Sequence, residues 1–161
     1  TRPILEVTLD VNNKKLKIYD VHFPAGYHDV SMRIDSLNFL KDLLNSHKYP
    51  SIALGDFNIN IKEDRKLDIY KSQETYWSVA HLNGCNKCKG TYYYAYEKNW
   101  SFLDSIFLSK DRNIKYIPDS IDIHITKTNS YSETGRPIKF NPINKSGVSD
   151  HLPMVANFIL N

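Results

Sequence analysis

Apolar and polar positions alternate twice near the start of the chain. The first run covers Ile4 to Asp10 and the second Lys15 to Phe23, where Lys17, Tyr19, Val21 and Phe23 alternate with Leu16, Ile18, Asp20 and His22. The polar cluster Asp10-Val11-Asn12-Asn13-Lys14 lies between them, so the pair predicts a β-hairpin. Over Ser31 to His47 the period changes, and Ile34, Leu37, Leu40, Leu43 and Leu44 fall on one face of a helix. Asp29 or Ser31 can cap its start, and Pro50 stops any continuation. Ser51-Ile52-Ala53-Leu54 then reads as a short buried strand that delivers the chain to Gly55. Strand, helix and strand in this order form the crossover unit of a sheet covered by helices.

The second half is more broken. Glu63 to Tyr70 and Tyr76 to His81 read as short helices or turns, and Asn83 to Lys89 as a loop. Strands are predicted at Thr91 to Tyr96, Phe102 to Ser109, Ser120 to Thr126 and Met154 to Leu160. Lys127 to Ser146 is long, polar and carries Pro and Gly, which suits a functional loop better than a packed element. The pattern predicts an α+β layer with about six strands and at least one long helix. It contains no internal repeat, low-complexity tract or interdomain linker.

Composition narrows the class. A chain of 161 residues, 41% hydrophobic and 24% charged, can close one domain around a real core. The net charge of +3 is compatible with a phosphate-bearing substrate, and no dense Lys/Arg block marks a nucleic-acid tail. No apolar run approaches the roughly 20 residues that span a bilayer, and no signal-peptide-like leader is present. A soluble protein is expected, its compartment left open. The chain opens at Thr1, which suggests processing or a longer parent, and the Lys-, Asn- and Ile-rich composition hints at an AT-rich bacterial genome. Cys85-Asn86-Lys87-Cys88 leaves three readings. Two free loop thiols come first, then a short-range disulfide in an exported protein. A zinc site with His81 comes last, since no fourth ligand is evident.

Chemistry-bearing groups stand at strand ends. Asp56 and Asn58 follow Ile52-Ala53-Leu54, Asp150 and His151 precede Met154-Val155, and His22 closes the second run. A sheet holds polar groups rigidly at such ends. Carboxylates suit a hard cation, an imidazole or carboxylate can activate water, and an amide can steady phosphoryl charge. Taken singly, each motif also reads as an ordinary turn or a surface histidine. Arg136, in the loop before Ser149, can clamp a phosphate or lie solvated. Arg33 reads as a local ion-pair former. Trp77, Tyr92, Tyr93, Tyr94 and Trp100 can stack on bases, though aromatic residues this dense more often pack a core.

Five segments occur in one order: Arg2-Pro3-Ile4-Leu5, Val21-His22-Phe23-Pro24, Gly55-Asp56-Phe57-Asn58, Leu103-Asp104-Ser105-Ile106 and Gly147-Val148-Ser149-Asp150-His151-Leu152-Pro153. In this the whole chain resembles the endonuclease/exonuclease/phosphatase superfamily, the deoxyribonuclease I-like group. The resemblance implies that residues 1–161 form the C-terminal portion of a single domain. That portion is half of a four-layer α/β/β/α sandwich, with a mostly antiparallel sheet and helices on one face. It implies Mg²⁺- or Mn²⁺-dependent phosphoester hydrolysis by in-line attack of water, with a nuclease or phosphodiesterase favoured. A lipid or inositol phosphate phosphatase, or a sphingomyelinase-like enzyme, is the first alternative. A catalytically incompetent fragment or binding module is the second.

By the same resemblance Asp56 orients or deprotonates water, and Asn58 contacts the phosphoryl group. Asp150 lies on the metal side, and His151 is general base or transition-state stabiliser. Asp104 fixes the tautomer of His151, and His22 donates to a phosphoryl oxygen. The family's N-terminal half, with its metal-binding glutamate, has no counterpart here, because Glu6 does not match that motif. Two partners follow as expectations: a phosphodiester substrate, nucleic acid favoured, and a cover for the apolar sheet face. That cover is a second copy of the chain or the missing half. Ile52, Leu54, Ile106, Phe107 and Leu108 supply apolar groups to both faces.

Overall fold

The computed structural model describes residues 2–161. The alternating runs form β1 (Leu5–Val11) and β2 (Lys14–His22), paired antiparallel. Asn12 and Asn13 join them with φ of 52° and 64°. Two left-handed residues in a two-residue loop match the right-handed twist of the flanking strands, and Asn tolerates that conformation.

Helix α1 (Val30–Asn45) starts where the Asp29 side chain accepts the backbone N–H of Ser31. It buries Leu37, Leu40 and Leu44 and leads to β3 (Ser51–Asp56), which lies parallel to β2. Next come α2 (Ile61–Leu67), capped by Asn60, and α3 (Ile69–Ser72). Asp68 breaks the two helices apart at φ 49°. Tyr76 to His81 was expected as a helix or turn. Its first part is instead β4 (Trp77–Val79), and only the end is helical, in α4 (Ala80–Asn83). Trp77 and Val79 are both fully buried with Ser78 between them, so period-two burial decides the conformation.

A small hairpin, β5 (Tyr92–Tyr94) and β6 (Asn99–Ser101), precedes β7 (Asp104–Ser109). The main sheet has the order β1-β2-β3-β7-β4 and is antiparallel except at β2/β3. Its five strands agree with the expected sheet of about six. The aromatic run pairs as a strand within its own hairpin, with one isolated bridge from Tyr92 to His151. Of the Ser120 to Thr126 run only β9 (Asp122–Ile123) is strand. The last predicted strand splits into β10 (Met154–Val155), paired with β9, and β11 (Phe158–Leu160), paired with β8 (Ile114–Tyr116). Residues 127–146 contain no strand or helix.

The two faces of the sheet differ. Tyr19, Val21, Ala53, Phe107, Trp77 and Val79 face the helices and form the main core with Leu37, Leu40, Phe57 and Tyr70. On the opposite face Leu16, Ile52 and Leu108 are buried, while Ile18, Leu54 and Ile106 are only partly covered. Leu5, Val7, Leu9 and Val11 on β1 share this second face and are exposed. No helix of the described residues is long and apolar enough to cross a membrane.

Candidate active site

The register of three neighbouring strands builds the site. His22 pairs with Asp56 across β2/β3, and Asp56 pairs with Asp104 across β3/β7. Directly paired residues share a face, so these three groups stand in a row at one end of the second face. The polar ends of three apolar strands are thereby brought together. Gly55 makes the close approach possible. Its φ is +126°, and a Cβ there would lie 2.1 Å from the Val21 carbonyl oxygen.

Beyond β3 the chain turns at Asn58, in a left-handed conformation with φ 52°. The Asn58 backbone N–H donates to Asp56 Oδ1 at 2.8 Å, and its amide donates to the Phe23 carbonyl at 3.1 Å. Phe57, fully buried, stacks on Phe107 with ring centroids 4.3 Å apart. The Gly-Asp-Phe-Asn turn is therefore pinned from below by a core aromatic and from the side by the end of β2.

His151 arrives from the other end of the sequence. Its Nδ1–H donates to Asp104 Oδ2 at 2.7 Å, which leaves Nε2 free. The acceptor-only carboxylate fixes this tautomer. Thr91 holds the pair in place. Its hydroxyl accepts the backbone N–H of Asp104 at 3.0 Å, and its carbonyl accepts that of Leu152 at 2.7 Å. Thr91 is fully buried. Tyr92 bridges to His151, and the two rings lie 5.0 Å apart. Sequence singles out Tyr92 only as an aromatic that can stack on bases, and Thr91 not at all. Thr91 reads as the start of a β-prone run, and nothing local signals that one hydroxyl joins two distant segments.

Ligand atoms of Asp56, Asp104 and His151 all lie within 4.8 Å of one another. Burial raises the pKa of Asp56, and the nearby Asp104 charge raises it further, outweighing the Asn58 N–H and the two histidines. For His151 burial works downward, but the hydrogen bond and charge of Asp104, with Asp56 and Asp150, outweigh it and raise the pKa. His22, half exposed, places Nε2 3.5 Å from Asp56 Oδ2 and accepts from the Arg2 guanidinium. The arrangement can hold a water or an oxygen nucleophile between an anionic carboxylate and an imidazole nitrogen.

Other expected residues lie farther out. Asp150, half exposed, faces Lys139 Nζ at 3.5 Å and is not part of the Asp56–Asp104–His151 cluster. Arg136 stacks over the Tyr93 ring at 4.1 Å, on a hairpin where Tyr93 also meets Trp100. Arg33 does form an ion pair, but fully buried and with Glu63, 30 residues away, rather than locally. It donates to the carbonyls of Pro24, Ala25 and His28 and pairs with Glu63, so it clamps the loop after β2. Trp77 is core, while Tyr92 and Tyr94 are not. Cys85 and Cys88 form a disulfide, correcting the first expectation of free thiols.

No family model and no curated protein matches the sequence. Solved structures do match in fold. An endonuclease/exonuclease/phosphatase family protein from Bacteroides thetaiotaomicron superposes with a TM-score of 0.63 at 16% identity, over 92% of this chain and 51% of that one. TDP2 of D. rerio, in complex with a single-strand DNA product, gives 0.64 at 13% identity over 96% and 60%. A mannosyl-6-phosphatase from Bacteroides thetaiotaomicron gives 0.58 at 15% identity over 91% and 52%. The chain spans about half the length of the solved structures it matches. At these identities the likeness establishes the fold alone: this chain folds like about half of the Bacteroides thetaiotaomicron proteins it superposes on.

Proposed function

We propose that this chain carries the imidazole–carboxylate edge of a phosphoester hydrolase, with a nucleic-acid phosphodiester as the favoured substrate. The observation that carries this reading is the convergence of Asp56, Asp104 and His151 at one strand end. Asp56 orients the attacking water and accepts its proton. His151, with Nδ1 held by Asp104, presents Nε2 to the reacting centre as base or, protonated, as a donor to developing phosphoryl charge. Asn58 keeps one amide N–H for a phosphoryl oxygen. His22 adds a donor when its Nε2 carries a proton. Arg136 would have to leave Tyr93 to reach a phosphate.

A divalent cation fits the charge of this site but only part of its donor set. Asp56 and Asp104 stand in the site with Asp150 farther out, and burial, then the Asp104 charge, raises the pKa of Asp56. Mg²⁺ and Mn²⁺ take about six oxygen ligands. Asp104 Oδ2 and Asp56 Oδ1 are engaged in hydrogen bonds, which leaves Asp150 as the carboxylate with most free capacity. Water and donors outside this chain would have to supply the remaining ligands. Bound there, such an ion would neutralise phosphoryl charge.

The exposed apolar face also belongs to this reading. Its occupant is a second sheet, from the half-domain that the matched structures have in addition or from another copy of this chain.

Nicking of supercoiled plasmid with and without Mg²⁺, comparing the chain with Asp56→Ala and His151→Ala, tests the proposal. Metal-dependent nicking lost in both variants supports it. Hydrolysis of a sugar or inositol phosphate in preference to plasmid would replace the nuclease reading by a phosphatase one.

A further inference from the structure

A cavity of about 510 Å³ opens beside the catalytic row. One wall is the β5/β6 ribbon. Period two puts Tyr92 and Tyr94 on one side of it, and their cross-strand partners Ser101 and Asn99 on the same side. All four line the cavity, whereas Tyr93 points away to Trp100 and Arg136. Asn60 and Lys62 at the start of α2 form the facing wall. Tyr27, on the loop that Arg33 clamps, stands at the rim and is 85% exposed.

The cavity is continuous with the catalytic groups at two points. Asn58, whose backbone holds Asp56, lines it. So does Tyr92, whose ring lies 5.0 Å from that of His151. A group seated here and a phosphate at His151 would therefore be neighbours in one molecule.

The lining selects among phosphoesters. Two tyrosines inside and one at the rim offer π-faces to a flat ring. Asn60 Oδ1 caps α2, Ser101 Oγ accepts from the Ile61 N–H and Asn99 donates to Glu97, which leaves the Asn60 amide N–H groups, the Asn99 carbonyl and the Ser101 hydroxyl proton as neutral partners. Apart from the tyrosines, the ionisable lining groups are Lys62 and Glu97, and they pair at 2.6 Å, with Glu97 also accepting from Asn99 at 3.0 Å. A multiply phosphorylated headgroup needs unpaired cations, and this wall has none to spare. A quaternary ammonium needs uncompensated negative charge or an all-aromatic cage, and the amides would go unused. A nucleobase uses both the rings and the amides.

We infer that this cavity is a subsite for the nucleobase of the nucleotide flanking the scissile phosphate, with Tyr94 as its stacking platform; this rests on the hydrolase reading above and names its substrate. Tyr94 is 44% exposed and lies outside both buried clusters, so its truncation leaves the fold intact, which a melting curve checks.

The test is fluorescence anisotropy of a labelled single-stranded oligonucleotide, read against the same strand with abasic residues, in EDTA so that no turnover intervenes. The intact chain should bind the base-bearing strand about tenfold more tightly than the abasic one. Tyr94→Ala should erase that difference, and Tyr94→Phe should keep most of it. Equal affinity for both strands overturns the subsite, whatever the plasmid assay shows. Displacement by phosphocholine or inositol trisphosphate more readily than by a mononucleotide also overturns it. Nicking that fails while base discrimination persists would sink the hydrolase proposal and leave the subsite standing.

Discussion

Replacing Asp104 by asparagine should lower the pKa of His151, which Asp104 holds above the ordinary imidazole value. Burial is the largest single influence on this ring and pushes its pKa down. The rise comes from the Asp104 hydrogen bond at 2.7 Å and the Asp104 charge, with smaller help from Asp56 and Asp150. Asparagine keeps an oxygen to accept Nδ1–H, so the ring stays in place while the charge goes. A hydrogen bond to a charged group contributes roughly 1.5–3 kcal/mol, against about 0.5–1.5 kcal/mol for a neutral pair. That difference, about 1 kcal/mol, is lost from the protonated ring before loss of the longer-range charge is added. Proton NMR titration of the ring Cε1–H signals of the six histidines reads this directly, with His151→Gln giving the assignment. His81, held down at about 4 by burial, is the internal control and should not move. The sign also appears in stability. A raised folded-state pKa contributes stability that is complete below 6.5 and lost as pH rises through the folded value. The melting temperature of the Asp104→Asn variant should therefore trail the parent most at mildly acidic pH, the gap narrowing toward alkaline pH. A His151 pKa that stays put or climbs in the variant would refute this account of the pair.

Three further outcomes are expected. Gly55→Ala should lower stability by about 3 kcal/mol or more, because the strained φ and the backbone contact at Val21 act together; an unchanged urea midpoint would show that β2 and β3 separate without penalty. Arg33→Lys should cost about 2 kcal/mol or more, since one ammonium cannot reach three carbonyls and Glu63 together. Limited proteolysis between Pro24 and Asp29 should then speed up, and a loop as resistant as the parent's would count against the clamp. Light scattering of the chain should show self-association that Val7→Lys with Leu9→Lys reverses, both residues being exposed on the second sheet face; a clean monomer at micromolar concentration would contradict this.

Local pattern sufficed for the hairpin, α1 and β3, because each has a period that only one conformation satisfies and turn or cap residues that end it. It also isolated His22, Asp56, Asn58, Asp150 and His151, since polar groups at the ends of apolar strands stand out against them, whereas Asp104 came only from the family resemblance. The misread stretches are those whose conformation depends on distant partners. Trp77–Val79 is a strand because Ser109 to Phe107 offers it an edge, and Met154 to Leu160 breaks because its two halves pair with different strands. Tertiary structure alone set the row of His22, Asp56 and Asp104, through a register that spans three strands. It alone sank Arg33 into the core, tied Asp104 to Leu152 through Thr91, and turned Tyr92 and Tyr94 into one cavity while Tyr93 turned away. The physical reason is the same in each case. Periodicity reports whether a side chain is buried or exposed, whereas the identity of its neighbour is fixed only when segments far apart in the chain come into register.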